Sequence, residues 1–258
     1  MHLSIAHAIK KNKQYNNIET VFNNKLWVQA PTYFNDPFDC EIVLYQDYIK
    51  QNCISSLQSK EGFMSGSAMW NELNRIIDEE LTLFQKTLEE SRNQLGVACF
   101  SEQDDSILMW SHYADNHRGF CVEYNMLEAV QTIQYTFVPV LYSNKKKLVD
   151  NVNLLEPDIF AKQVTIYSID SLFRKAKDWE YEKEWRIIRD EAACGLAWNK
   201  NKNGALIDFI KPQSIILGCM IDNNSERKIQ KLCRERNIPL FKMEKNKYEF
   251  RLEKRKMI

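Results

Sequence analysis

The stretch GVACFSEQDDSILMWSHYADNHRGFCVEY, Gly96 to Tyr124, sets the fold class, because its apolar period changes twice within one short segment. Gly96-Val-Ala-Cys-Phe100 is a brief apolar run that reads as a strand before the polar Ser101 to Ser106. Ile107 to Ala114 then has helical spacing, with Asp104 or Asp105 as its N-cap and Gly119 as its stop. Beyond it Phe120, Val122 and Tyr124 alternate with Cys121 and Glu123, the period of a strand half buried in a sheet. Strand, helix and strand follow one another here, and along the whole chain strands and helices intermingle without a regular βαβ rhythm.

The same mixture extends outward. Toward the N-terminus, Ile9 to Asn23 reads as a helix, and Lys25 to Ala30 reads as a strand ended by Pro31. Asn35-Asp36-Pro37 is a fixed corner, because proline forces the residue before it out of the helical region and Asx side chains cap turns. Ala68 to Leu95 places Leu73, Ile76, Ile77, Leu81, Phe84 and Leu88 at a spacing near 3.6, which predicts a long amphipathic helix. Toward the C-terminus, strands are expected at Val138 to Tyr142, Glu182 to Arg189, Gly204 to Ile210 and Ser214 to Met220, with helices at Pro157 to Ala176 and Ser225 to Arg236. Leu240 to Met243 and Tyr248 to Leu252 read as an edge pair. The expected class is α+β with a mixed, mostly antiparallel sheet and flanking helices. One domain, residues 1–258, is expected, with a helical segment at about residues 45–95 as an insertion or scaffold.

Composition bounds the function. The 258 residues carry Lys+Arg 35 against Asp+Glu 35 and are 44% hydrophobic, the profile of a chain that buries a core. A chain of this length buries about 75% of the surface that its unfolded form exposes, so it needs no metal or disulfide staple. A net charge of zero argues against a protein that coats nucleic acid, although local basic patches remain compatible with it. None of the seven cysteines stands at a zinc-ligand spacing, and they read as reduced thiols. No apolar run is long enough for a signal peptide or a membrane span, which points to a cytoplasmic protein with no membrane partner. There is no glycine-rich phosphate loop, no GxSxG and no HExxH.

Three clusters set aromatic rings beside charged groups: Tyr33 to Asp39, Met109 to Phe120, and Trp179 to Arg186. Burying such a mixture requires a specific network or a ligand. On a strand, Glu182, Glu184 and Arg186 share one face, and a solvated edge is the competing reading of that face. Met109 and Tyr113 share a helix face with Trp110 beside it, so that Tyr113 or Trp110 offers a ring for stacking; ordinary core packing is the stronger reading of Trp110.

The ordered motifs Asn35-Asp-Pro-Phe-Asp39, Cys99-Phe-Ser101, Met109-Trp-Ser-His-Tyr113 with Gly119-Phe120, Tyr181-Glu-Lys-Glu-Trp-Arg186 and Ile216-Leu-Gly218 resemble the bacterial domain of unknown function 2971 family, over about Lys25 to Leu252. A weaker similarity is to ADP-ribosyltransferases, whose split sheet carries a late Glu-x-Glu, here Glu182-Lys-Glu184. That resemblance implies NAD as substrate, with Glu184 and Glu182 as the catalytic carboxylates and Tyr113, Arg186, Trp110 and His2 as the NAD-binding residues. His2, or else His7, stands where the first strand of such a transferase holds the dinucleotide. Cleaving the nicotinamide–ribose bond builds positive charge on the sugar, and a carboxylate facing it stabilises that transition state. The implied activity is an ADP-ribosyltransferase or NAD glycohydrolase acting on an unidentified macromolecular acceptor, in a toxin or antiphage effector. Two other readings stand beside it: a non-catalytic ligand-binding or sensing module, and a metal-dependent nuclease using Asp36, Asp39, Glu182 and Glu184.

Overall fold

The computed structural model describes residues 2–7, 18–61, 68–133, 135–154, 157–195, 198–199, 201 and 204–258. In chain order the elements begin with β1 (His2–His7), α1 (Ile18–Phe22), β2 (Lys25–Gln29), β3 (Val43–Leu44), α2 (Gln46–Glu61), α3 (Ala68–Asn93) and β4 (Leu95–Ser101). They continue with α4 (Ile107–Tyr113), β5 (Phe120–Asn125), α5 (Met126–Ile133), β6 (Val138–Pro139), β7 (Leu141–Ser143), β8 (Leu148–Val149) and α6 (Pro157–Ser171). The remainder carries β9 (Arg174–Ala176), β10 (Glu184–Asp190), α7 (Glu191–Cys194), β11 (Trp198–Asn199) and β12 (Gly204–Asp208), then β13 (Ser214–Leu217), α8 (Asn223–Arg236), β14 (Leu240–Lys245) and β15 (Leu252–Lys256). The class is α+β, with mostly antiparallel pairing and flanking helices.

Two compact units divide the chain. The first comprises Met1–Gln29, Gly96–Val140 and Asp178–Ile258. Its sheet runs β11-β12-β2-β4-β1-β5-β13-β14-β15, and β10 branches from β4 and pairs with β6. β1 with β4 and β5, β2 with β4 and β12, β5 with β13, β14 with β15, β11 with β12 and β6 with β10 are antiparallel, whereas β13 and β14 are parallel, with Ile215, Ile216 and Leu217 beside Leu240, Phe241 and Lys242. The core holds Phe100, Phe120, Val122, Tyr124, Ile215 and Leu217, with Phe100 and Tyr124 each meeting Phe209. Burying each such large apolar side chain contributes about 1.5–3 kcal/mol.

The second unit comprises Ala30–Leu95 and Leu141–Lys177. Its centre is α3, which seats Ile77, Leu81, Phe84 and Leu88 in the core while Phe84 meets Phe160 and Tyr167 edge-on. Two short parallel ribbons complete it, β3 with β8 and β7 with β9. Among the described residues no helix is long and apolar enough to cross a membrane, and no disulfide links any of the seven cysteines.

Several boundaries differ from the sequence reading, each for a local reason. Helix α4 is capped by Ser106, whose hydroxyl accepts from the Met109 N–H, not by Asp104 or Asp105. It also ends well before Gly119: Asp115, Asn116 and His117 all take positive φ (50°, 54° and 66°), which Asp, Asn and His tolerate better than other residues with a Cβ. Strand β5 is central, so Cys121 is buried as well as Phe120, Val122 and Tyr124. The expected strand Val138 to Tyr142 is split between β6 and β7, and the expected helix Pro157 to Ala176 stops at Ser171 before β9. The last strand is Leu252–Lys256, with Tyr248 and Phe250 in the preceding turn. At the corner, Asp36 makes the Asx turn, its Oδ1 accepting from the Phe38 N–H at 2.9 Å, while Asn35 is exposed. Of the expected helix Ile9 to Asn23, residues 9–17 lie outside the described residues.

Candidate functional site

The first unit gathers the second and third aromatic–charged clusters. Strand β4 delivers Ser101, α4 delivers Tyr113, and a 3-10 turn (Lys177–Glu182) followed by β10 delivers Glu182, Glu184 and Arg186. The junction at Lys183 decides the geometry. Its φ is +44°, so the chain turns there and Glu182 closes the 3-10 turn instead of starting the strand. The loop is pinned by Glu102 N–H donating to Lys183 O at 3.3 Å and by Trp185 Nε1 donating to Glu102 Oε1 at 2.8 Å.

Glu184 and Arg186 do share a face of β10, but that face points inward, which overturns the reading of a solvated edge. Glu182, Glu184 and Arg186 are 3%, 4% and 0% exposed. Arg186 grips Glu184 in a fork, Nε to Oε1 at 2.7 Å and Nη2 to Oε2 at 3.1 Å. Such bidentate charge-assisted pairs are the strong ones, and burial makes each partner dependent on the other. Arg186, expected among the NAD-binding residues, is therefore enclosed with Glu184 instead of open to a ligand.

Glu182 has a different setting. Its Oε1 accepts from Tyr113 Oη at 2.6 Å, and its main-chain oxygen accepts from Ser101 Oγ at 2.5 Å. Ser101 in turn accepts from the Gln103 N–H at 2.9 Å. Tyr113 is only partly buried and belongs to a run of rings: His112 meets Tyr113 at 6.1 Å and Trp179 at 5.9 Å, and Trp179 meets Tyr181 at 6.1 Å. His112 is exposed, and Trp179 and Tyr181 are half-buried. A partly open aromatic surface thus ends on a buried carboxylate.

The other expected site residues lie elsewhere. Trp110 is a core residue, packed with Ala114, Cys121, Ile216 and Met243, and its Nε1 donates to Asp104 O at 2.6 Å, so its ring offers no open face. His2 sits on β1 opposite Asn125, and its side chain lies outside the described residues. Asp36 and Asp39 belong to the second unit, where Asp39 pairs with Lys175 at 3.6 Å. Among the described residues no three His, Cys, Asp or Glu side chains gather as a metal site.

The sequence does not single out His112, Trp179, Tyr181 and Ser101 as partners of Tyr113 and Glu182, although Ser101, His112 and Tyr181 fall in the family-like motifs and Trp179 opens the third aromatic–charged cluster. His117, which the sequence offers with His112 and Cys121 only as a disfavoured metal set, has its Nε2 3.0 Å from Ser111 Oγ while its buried Nδ1 has no partner. Burial holds the His117 imidazole below its ordinary pKa.

No curated protein and no solved structure gives a significant match to the chain. One segment does match a family, and it carries Tyr113, Trp179, Tyr181, Glu182, Glu184 and Arg186: residues 109–187 match the family described as "Protein of unknown function (DUF2971)", the family that the ordered motifs resemble.

Proposed function

We propose that the first unit is a ligand-binding module that takes a planar ring, that of NAD or a related nucleotide, on His112, Tyr113, Trp179 and Tyr181, with Glu182 receiving the ligand's hydroxyl or amide donors. The observation that carries this reading is the 2.6 Å bond from Tyr113 Oη to Glu182 Oε1, which joins the partly open aromatic surface to a carboxylate. A carboxylate has about four lone-pair sites and serves several donors at once. Aromatic faces give a nucleotide ring affinity, and a fixed acceptor orients it.

A second reading, NAD glycohydrolase or ADP-ribosyltransferase action, is favoured by one specific feature: two carboxylates two residues apart, each held by a donor before any ligand arrives. In that reaction the bond from ribose C1′ to the nicotinamide nitrogen breaks and its electron pair leaves with nicotinamide. The sugar becomes cationic, and water or an acceptor group adds to it. Under this reading Glu182, being joined to the aromatic surface, is the carboxylate that stabilises that cation.

Calorimetry and nicotinamide release on the same full-length sample test both readings. Heat and quenched Trp179 fluorescence with millimolar NAD, without release, support the binding module. Release that falls about a hundredfold in Glu182→Gln while binding persists supports the enzyme. Neither heat nor a thermal shift from a folded sample removes both.

A further inference from the structure

The second unit spends a buried polar network on holding an exposed aromatic ring. Asp39, Lys175 and Asp36 are buried beneath the Asn35 to Asp39 corner, with Lys175 Nζ 3.6 Å from Asp39 Oδ2 and Cys40 Sγ donating to Asp39 Oδ1 at 3.2 Å. Asp36 Oδ1 fixes the Phe38 N–H at 2.9 Å, and Arg92 Nη1 donates to Cys40 O. The outcome of this rigid corner is Phe38, 60% exposed. Buried charges are costly to assemble and are not needed merely to leave a phenyl ring in water, whereas rigid exposed rings bind with little loss of conformational freedom.

The surroundings give the ring a chemical context. Lys146 Nζ stands 4.9 Å from the Phe38 ring centre and pairs with Glu41 at 2.6 Å. Its neighbours Lys145 and Lys147 are exposed, and among the described residues neither has an acidic partner. The β3–β8 ribbon carries this surface onward: Val43 lies beside Leu148, Leu44 beside Val149, and Tyr45 N–H donates to Val149 O at 2.9 Å. At that end Tyr45 and Tyr48, 50% and 45% exposed, stack at 5.5 Å with 16° between their rings. Lys145 to Lys147 lead directly into β8, and Tyr45 follows directly from β3. Cations at one end and flat rings at both ends form a strip.

We propose that this strip binds single-stranded nucleic acid, with unstacked bases on Phe38 and on the Tyr45–Tyr48 pair and backbone phosphates at Lys145 and Lys147. Exposed bases stack on any aromatic face, and lysines at one edge supply the sequence-independent attraction to phosphate. Asp47 and Asp150, exposed near the tyrosines, repel phosphate there and leave that end to bases.

Fluorescence anisotropy with labelled single-stranded DNA and RNA oligonucleotides, titrated with the full chain at several salt concentrations, tests this. Phe38→Ala should weaken binding at least about fivefold, the lower end of what stacking one base contributes, with an unchanged melting temperature. Lys145→Gln with Lys147→Gln should weaken it and lower the salt slope by about 1.4, at about 0.7 for each lysine–phosphate pair removed. The proposal is overturned if the wild-type chain does not bind at low salt, or if Phe38→Ala binds as well as wild type. It is equally overturned if a sulfated polysaccharide or an acidic peptide binds with the same dependence on both sets of residues, since the strip would then read charge without bases.

Discussion

Replacing Glu184 with glutamine separates a buried structural pair from an accessible catalytic carboxylate. Glu184→Gln keeps the shape and removes the charge that Arg186, 0% exposed, is forked against at 2.7 and 3.1 Å. Removing one carboxylate from a buried ion pair costs about 3–5 kcal/mol. Small domains have about 5–15 kcal/mol in total, so roughly a fifth or more of the stability is at stake. At roughly 2–4 °C for each kcal/mol in a chain of this size, 3 kcal/mol lowers Tm by about 6–12 °C. An exposed carboxylate replaced by its amide would change stability by no more than about 0.5 kcal/mol. Urea unfolding and a calorimetric scan of the two proteins decide between these. Glu184→Gln with Arg186→Leu should recover part of the loss, because the arginine charge that the Glu184 carboxylate offsets is removed along with it. A Glu184→Gln protein that melts within 1–2 °C of wild type, by the same conversion less than about 1 kcal/mol, would refute the buried-pair account.

Gly218→Ala drives a Cβ into the His117 carbonyl oxygen and so displaces the turn that follows α4; a loss of about 1–3 kcal/mol is expected, read from the urea midpoint. Stability should also decline as pH falls below about 6.5, the ordinary histidine value, because burial lowers the folded pKa of His117 and the unfolded chain then binds the extra proton. Melting curves between pH 8 and pH 5 should show a smaller decline in His117→Gln than in wild type, and parallel declines would remove His117 as the cause.

What the amino-acid order determined was whatever depends on neighbours in the chain. The 3.6 spacing of Leu73, Ile77, Leu81, Phe84 and Leu88 is enough for α3, and the mixture of strand and helix periods is enough for the α+β class. The family motifs also lie in the chain order, and they hold nearly every member of the Tyr113–Glu182 cluster. Alternation placed Glu184 and Arg186 on one face as well, since side chains on a strand repeat every two residues. Alternation is silent on whether that face meets water or core, and here the packed unit encloses it. Tyr113 and Glu182, 69 positions apart in the chain, are brought together by the packed unit, and no local pattern encodes which of the neighbouring carboxylates the hydroxyl will meet. Local pattern likewise missed the turn at Lys183 and the left-handed run Asp115 to His117, because positive φ is unfavourable in isolation and is held by the contacts around it. Tertiary structure therefore decided the site: it took Glu182 off the strand to Tyr113 and locked Glu184 against Arg186, since burial and long-range pairing are properties of the assembled chain.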